Sequence, residues 1–190
     1  MTRIAIPTRD KVSAASEPML DAFNKQLGFT PNLFSIMALS PSAFIGWSGL
    51  QAALAKTLDA KIRDGIALAV SQVNSCHYCL SAHTFSAINV SKLGADEILL
   101  NRQGTSSDSK TDAAMRFVKK MIEARGKVTE AELGGVREVG FTDSNIVEMI
   151  ALSAQFVLTN FINNVFDTPI DFPTVSLEPR SDSSFDTFST

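Results

Sequence analysis

The sequence predicts an all-α protein, a compact helical bundle, and three observations carry that prediction. Apolar residues recur at helical spacing along nearly the whole chain. Helix-starting and helix-stopping residues punctuate it at short intervals. No alternation of period two persists long enough to build a sheet. With 190 residues, 45% of them apolar, the chain is long enough to bury a real core.

The elements follow in order. Ser13 to Leu27 carries Met19, Leu20, Phe23 and Leu27 on one stripe, with Gly28 where a C-terminal cap belongs. Asn32 to Leu39 is a short apolar segment closed by Ser40-Pro41. Proline in a first turn then suits a new helix from Pro41 to about Lys56. Asp59 to about Val73 sets Ile62, Ile66, Ala69, Val70 and Val73 on one stripe, and Asn74-Ser75 interrupts it. A further helix begins at or just before Cys76 and runs to about Val90. A short helix ends near Arg102, and Gln103 to Lys110 is polar enough to be a surface loop. Thr111 to Ala124 is helical, with Gly126 as its stop. Thr129 and Glu132 have the spacing of a capping box, and Gly140 closes the helix they open. Thr142 or Asp143 caps the last long helix, which runs to about Val165. After Asp167 the composition turns to Pro, Ser, Asp and Thr. We therefore expect one helical domain over residues 1–173 and an extended tail over 174–190, mobile toward its end.

Composition narrows the function. Net charge is −3, without a basic block or an acidic run, which argues against nucleic acid or a membrane surface as the main partner. The first residues have no secretory pattern, and the apolar stretches are short and interrupted by Ser, Gln, Asn or Gly. The expectation is a soluble, cytoplasmic protein. In that compartment a close cysteine pair is catalytic, redox-sensing or metal-binding more often than it is a staple.

The chain holds two cysteines, two histidines and one tyrosine, and all five lie between Cys76 and His83. Cys76 and Cys79 are three apart, and Cys79 and His83 four apart, so a helix places them on one stripe. Asn74-Ser75 puts the pair at a helix N-terminus, where unpaired N–H groups and the dipole favour thiolate over thiol. A thiolate attacks a peroxide oxygen or a disulfide sulfur. One cysteine would pass to sulfenic acid and the other would condense with it to a disulfide. His83 is placed to pass protons or stabilise the thiolate. Asp64, on the preceding helix, would orient His83 or relay its proton if the two helices meet at the Asn74-Ser75 break. His77 and Tyr78 are auxiliary candidates; His77 can face solvent and Tyr78 can simply pack. Spacing alone does not decide which cysteine is the nucleophile.

Other chemistries fit less well. A zinc site of Cys76, Cys79 and His83 would need His77 or Asp64 as its fourth ligand. Haem attachment needs histidine directly after the second cysteine, where Leu80 stands. A thioredoxin-type C-x-x-C follows a strand, and here a helix precedes it. The expectation is no metal and no cofactor.

The stretches Lys61-Ile62-Arg63-Asp64, Ile66 to Ser71 and Val73 to His83 resemble the carboxymuconolactone decarboxylase superfamily in its alkylhydroperoxidase D-like branch. Its signature is an acidic residue, eleven residues, C-x-x-C, three residues and His; Asp64, Cys76, Cys79 and His83 fall on those positions. The segment Asn160 to Asp167 and the following Pro-Ile-Asp-Phe-Pro resemble the peroxidase-related subgroup. The resemblance implies a helical protomer that assembles into trimers or hexamers. It also implies hydroperoxide reduction with a thiol or dithiol protein as reductant. It implies that Cys79 attacks the peroxide, that Cys76 resolves it, and that Asp64 and His83 form a proton relay. Two positions depart from the family: Asp64 stands where glutamate is usual, and Tyr78 where the well-studied peroxidases carry histidine. The alternatives are a decarboxylase or lactone-processing enzyme like the superfamily's founding members, and a non-enzymatic redox-sensing subunit.

Overall fold

Capping side chains decide where the elements begin in this computed structural model, which describes residues 2–177. Nine α-helices and no strand occur among the described residues. They are α1 (Glu17–Leu27), α2 (Asn32–Met37), α3 (Pro41–Leu54), α4 (Ala60–Val73), α5 (His77–Asn89), α6 (Ala95–Gln103), α7 (Ser109–Glu123), α8 (Glu130–Glu138) and α9 (Asp143–Phe166). Ser40 caps α3 by accepting from the Ala43 amide, and Asp59 caps α4 by accepting from the Lys61 amide. Thr129 with Glu132 forms the expected capping box on α8, and Thr142 with Asn145 forms a second on α9.

Two boundaries differ from the sequence reading. The first helix starts at Glu17, because Pro18 lacks the N–H that an earlier start would need; Ala14–Ser16 forms a 3-10 turn instead. The loop after α6 is shorter than expected. Asp108 accepts from both the amide and the hydroxyl of Thr111, and this cap starts α7 at Ser109. α9 has the expected bounds and is more apolar than the interrupted stretches suggest: an 18-residue window within it reaches a mean hydropathy of 1.4, enough by length and composition to cross a bilayer. Here one of its faces packs on α3, α4, α5 and α7 as a core helix.

α4 is the central element and packs against α5, α6, α7 and α9. Ile66 and Val70 of α4 meet Met115 and Val118 of α7 and Met149 and Leu152 of α9 in the main core. Gly65 lets α4 and α7 approach: a Cβ there would stand 2.8 Å from Met115 Sδ. A second core joins Cys76, Tyr78 and Cys79 to Leu20, Leu33, Met37, Phe44 and Trp47 from the N-terminal helices. Phe23 stacks on Phe34 with centroids 4.0 Å apart beside it.

Residues 168–177 have no regular secondary structure. The described residues at the start of the expected tail are held against the bundle. Arg102 donates to the carbonyls of Ser176 and Leu177 at 2.6 and 3.1 Å, and Gln72 donates to Leu177 at 2.8 Å. The rest of the tail lies outside the described residues.

Candidate thiol site at the α4–α5 junction

α4 ends at Val73, and Ser75 turns the chain with a φ of 49°, in the left-handed region. The Cys76 amide donates back to the Ser71 carbonyl at 2.9 Å. α9 fixes this turn from outside: Asn74 Nδ2 donates to Asn160 Oδ1 at 2.9 Å, and Asn164 Nδ2 donates to the Asn74 carbonyl at 2.9 Å. Cys76 is thereby set as the N-cap of α5, one residue outside the helix. Its Sγ accepts from the Cys79 amide at 3.4 Å.

Both cysteines are free thiols, 0% and 2% exposed. Their acidities are driven apart. The Cys76 thiol donates toward Cys79 and is itself held well above the usual thiol range by that bond and by burial. Cys79 is held below that range, first by the Cys76 thiol and then by polar side chains of α9. Asn163 Nδ2 donates to Cys79 Sγ at 3.2 Å, and Asn160 and Thr159 add to the effect, against the opposing cost of burial. The arrangement makes the second sulfur the more acidic of the two and leaves the first as the one that keeps its proton.

The other expected residues fall as follows. His83 lies one turn along α5, half-buried, with its ring edge-on to Phe156 at 5.0 Å. Burial lowers its pKa to about 4, so at neutral pH it is the uncharged imidazole rather than a cation that could stabilise a thiolate. Asp64 does not join it. Its carboxylate accepts from the Ser91 hydroxyl beyond the end of α5, with Ser86 also close, and burial raises its pKa. No hydrogen bond links Asp64 to His83 among the described residues, so the expected relay is not formed in this arrangement. Aspartate is one methylene shorter than the family's glutamate, and it is spent on a serine instead.

His77 does not face solvent: its Nε2 lies 2.5 Å from the Val175 carbonyl, a contact to the C-terminal segment. Tyr78 packs, as one of the two expected options had it. Its hydroxyl accepts from the Leu33 amide at 3.3 Å, and its ring meets Phe172 edge-on at 5.8 Å. Burial and the adjacent Asp171 carboxylate push its pKa up, so it remains a neutral phenol. Residues 168–177 thus form a strap over the site. Ile170 and Phe172 pack on the cluster that holds both cysteines, and Asp171 accepts from the Asn32 amide at 2.6 Å. No group of three or more His, Cys, Asp or Glu residues is arranged to hold a metal ion among the described residues, so the zinc alternative has no assembled ligand set.

Sequence reasoning missed Thr159, Asn160 and Asn163 as parts of the site. A signal existed: three polar side chains on one face of an otherwise apolar helix must find buried partners.

This site and fold define a class, a helical bundle with a C-x-x-C at the N-terminus of an inner helix. The carboxymuconolactone decarboxylase family profile matches residues 41–120, which contain α4, both cysteines and His83. A crystal structure described as an alkylhydroperoxidase AhpD core, an uncharacterized peroxidase-related protein from Ralstonia eutropha JMP134, superposes with a TM-score of 0.79 at 27% identity; the match covers 90% of this chain and 92% of that one. An uncharacterized peroxidase-related protein from Silicibacter sp. TM1040 gives 0.75 at 23% identity over 88% and 91%. The debrominase Bmp8 shares the fold, with a TM-score of 0.72 at 18% identity over 87% and 90%. No curated protein matches the chain significantly. Residues 41–120 are thus similar to the carboxymuconolactone decarboxylase family, and the chain as a whole shares its fold with a peroxidase-related protein described as an alkylhydroperoxidase AhpD core.

Proposed function

We propose that the protein is a thiol-dependent peroxidase that reduces hydroperoxides through Cys79 and Cys76. The observation that carries this reading is the divided pair. Cys79 is held as the more acidic sulfur by Asn163 and its neighbours, and Cys76 keeps its proton beside it. A general redox role is supported by the peroxidase-related neighbours.

The steps balance as follows. The Cys79 thiolate attacks the terminal peroxide oxygen, the O–O bond breaks, and the leaving alkoxide takes a proton to become the alcohol. The Cys76 thiol is the nearest source of that proton, and the proton that completes the departing water in the next step comes from solvent. Cys79 is then a sulfenic acid. Cys76 attacks its sulfur, water leaves, and a disulfide closes. A dithiol protein returns two electrons and two protons. Because both sulfurs are buried, entry requires the strap over residues 168–177 to part. Asp64 has no step in this sequence. A cycle that must be re-reduced suits the cytoplasm. The exposed apolar stripe Val147, Ile150, Leu158, Phe161 and Val165 on α9 supports assembly of identical subunits.

The test is stopped-flow oxidation of the dithiothreitol-reduced protein by hydrogen peroxide and by cumene hydroperoxide, with thiols counted before and after. Loss of both thiols to an internal disulfide is expected, abolished in Cys79→Ser. In Cys76→Ser, Cys79 should instead stop at a sulfenic acid that dimedone traps. Thiols that survive excess peroxide refute the proposal.

A further inference from the structure

We infer that the cleft at the amino end of α4 is a binding site for a small phosphorylated organic anion that also carries hydroxyl groups. The cleft has a volume of about 500 Å³, within the usual range for small-molecule sites. It lies at the far end of α4 from the cysteines, about 20 Å away at 1.5 Å per residue.

Three helices begin around it. Residues from the first turns of α4, α6 and α7 line it, so three positive helix ends converge on one space. α4 and α7 are capped by Asp59 and Asp108. The amino end of α6 has no side-chain cap, because its N-cap is Gly94, and its first amides remain available. Lys61, Lys92 and Lys110 line the same space. Lys61 and Lys92 are exposed and make no ion pair among the described residues, whereas Lys110 lies 4.7 Å from the Phe141 ring centroid.

Three carboxylates also line the cleft, and each is already engaged. Asp59 and Asp108 hold helix amides, and Glu97 accepts from the hydroxyls of Ser106 and Ser107 and from the Ser107 amide. These carboxylates keep their charge but turn their oxygens to those donors, so the ionic groups left without a direct partner among the described residues are the Lys61 and Lys92 ammoniums.

The feature that calls for a ligand is Asn101. It is 1% exposed and lines the cleft, packed against the space that Gly65 leaves. Its Oδ1 has no donor, and its side chain makes no hydrogen bond among the described residues. A buried amide without partners is rare in a folded protein and costly to keep. A ligand hydroxyl answers it, donating to Oδ1 and accepting from Nδ2. Phosphate toward the lysines and the α6 amides, with hydroxyls toward Asn101, satisfies both halves of the cleft.

The test is calorimetric titration of the full chain at low ionic strength with glucose 6-phosphate, with glucose and with inorganic phosphate as comparators. Saturable binding of glucose 6-phosphate is expected, tighter than either comparator. Lys61→Ala/Lys92→Ala, changed only at exposed positions, should weaken it by roughly tenfold. Asn101→Ala should weaken glucose 6-phosphate while leaving inorganic phosphate unchanged. Peroxide oxidation of the cysteines should be unaffected in the lysine variant, so this inference and the peroxidase proposal stand or fall separately. Glucose 6-phosphate binding no tighter than glucose, or unchanged in the lysine variant, overturns the site. Equal affinity for glucose 6-phosphate and inorganic phosphate overturns the hydroxyl contact and with it the assignment.

Discussion

Asn163→Leu isolates what α9 does for the sulfur. In the native protein, Asn163 Nδ2 donates to Cys79 Sγ at 3.2 Å with both groups buried. A hydrogen bond to a charged acceptor contributes about 1.5–3 kcal/mol, and one pKa unit corresponds to about 1.4 kcal/mol. Losing the bond should therefore raise the Cys79 pKa by roughly one to two units. Because the thiolate is the reacting form, the whole curve of rate against pH should move up by that amount. On its rising limb the rate should fall roughly ten- to hundredfold, with the high-pH plateau intact. The fold should survive, since Asn163 Oδ1 is buried without a donor and leucine removes that unpaired acceptor. The assay is alkylation of the reduced protein by iodoacetamide between pH 4 and 10, resolved by mass to Cys79, with thiolate absorbance at 240 nm as a second readout. Asn163→Asp, which places a carboxylate against the sulfur, should shift the curve further still. Superimposable curves for the native protein and Asn163→Leu would refute the claim that α9 sets the acidity of Cys79.

Three other perturbations separate roles that the sequence runs together. Asp64→Asn keeps an acceptor for Ser91 and removes a buried charge, so peroxide oxidation of the thiols should stay within about threefold of native, with no loss of stability at pH 7. A rate loss above about tenfold would restore Asp64 to the relay. His83 has a folded pKa of about 4 against 6.5 for the unfolded side chain. The unfolded chain therefore takes up that proton first, and stability present above pH 6.5 is lost as pH falls from 6.5 toward 4. The loss is at most about 3 kcal/mol, less in practice for a half-buried ring. Urea midpoints at pH 7 and 4.5 should converge in His83→Gln. Arg102→Ala releases Ser176, Leu177 and Gln72 together. It should loosen the strap and speed reaction of the cysteines with a bulky aromatic disulfide several-fold; an unchanged rate would show that the strap does not guard them.

The fold was legible because helix signals are local. Ser40, Asp59, Thr129 and Thr142 start helices through bonds that span two or three residues, so sequence spacing states them directly. The Cys76–His83 cluster was legible for the same reason. What spacing could not state is which partners arrive from elsewhere. Asp64 stands at the family's acidic position, yet its partner depends on where the end of α5 carries Ser91, and a shorter side chain stops there. The donors to Cys79 come from α9, about 80 residues later, and no local pattern ties Asn163 to that sulfur. Exposure of His77 was misread because the strap that covers it returns from residue 175.

α9 has two allegiances on opposite sides of one rod, polar on the inside and apolar on the outside. Inward, Asn160, Asn163 and Asn164 hold the Asn74 turn and the Cys79 sulfur. Outward, Leu158, Phe161 and Val165 stand in solvent in the same turns of helix. A helix moves as a unit, so a displacement of about 1 Å imposed on the outer stripe is felt undiminished at the amide that polarises the thiol. Whatever rests on the outside of this helix is therefore one side chain away from the Cys79 sulfur, a group it never touches.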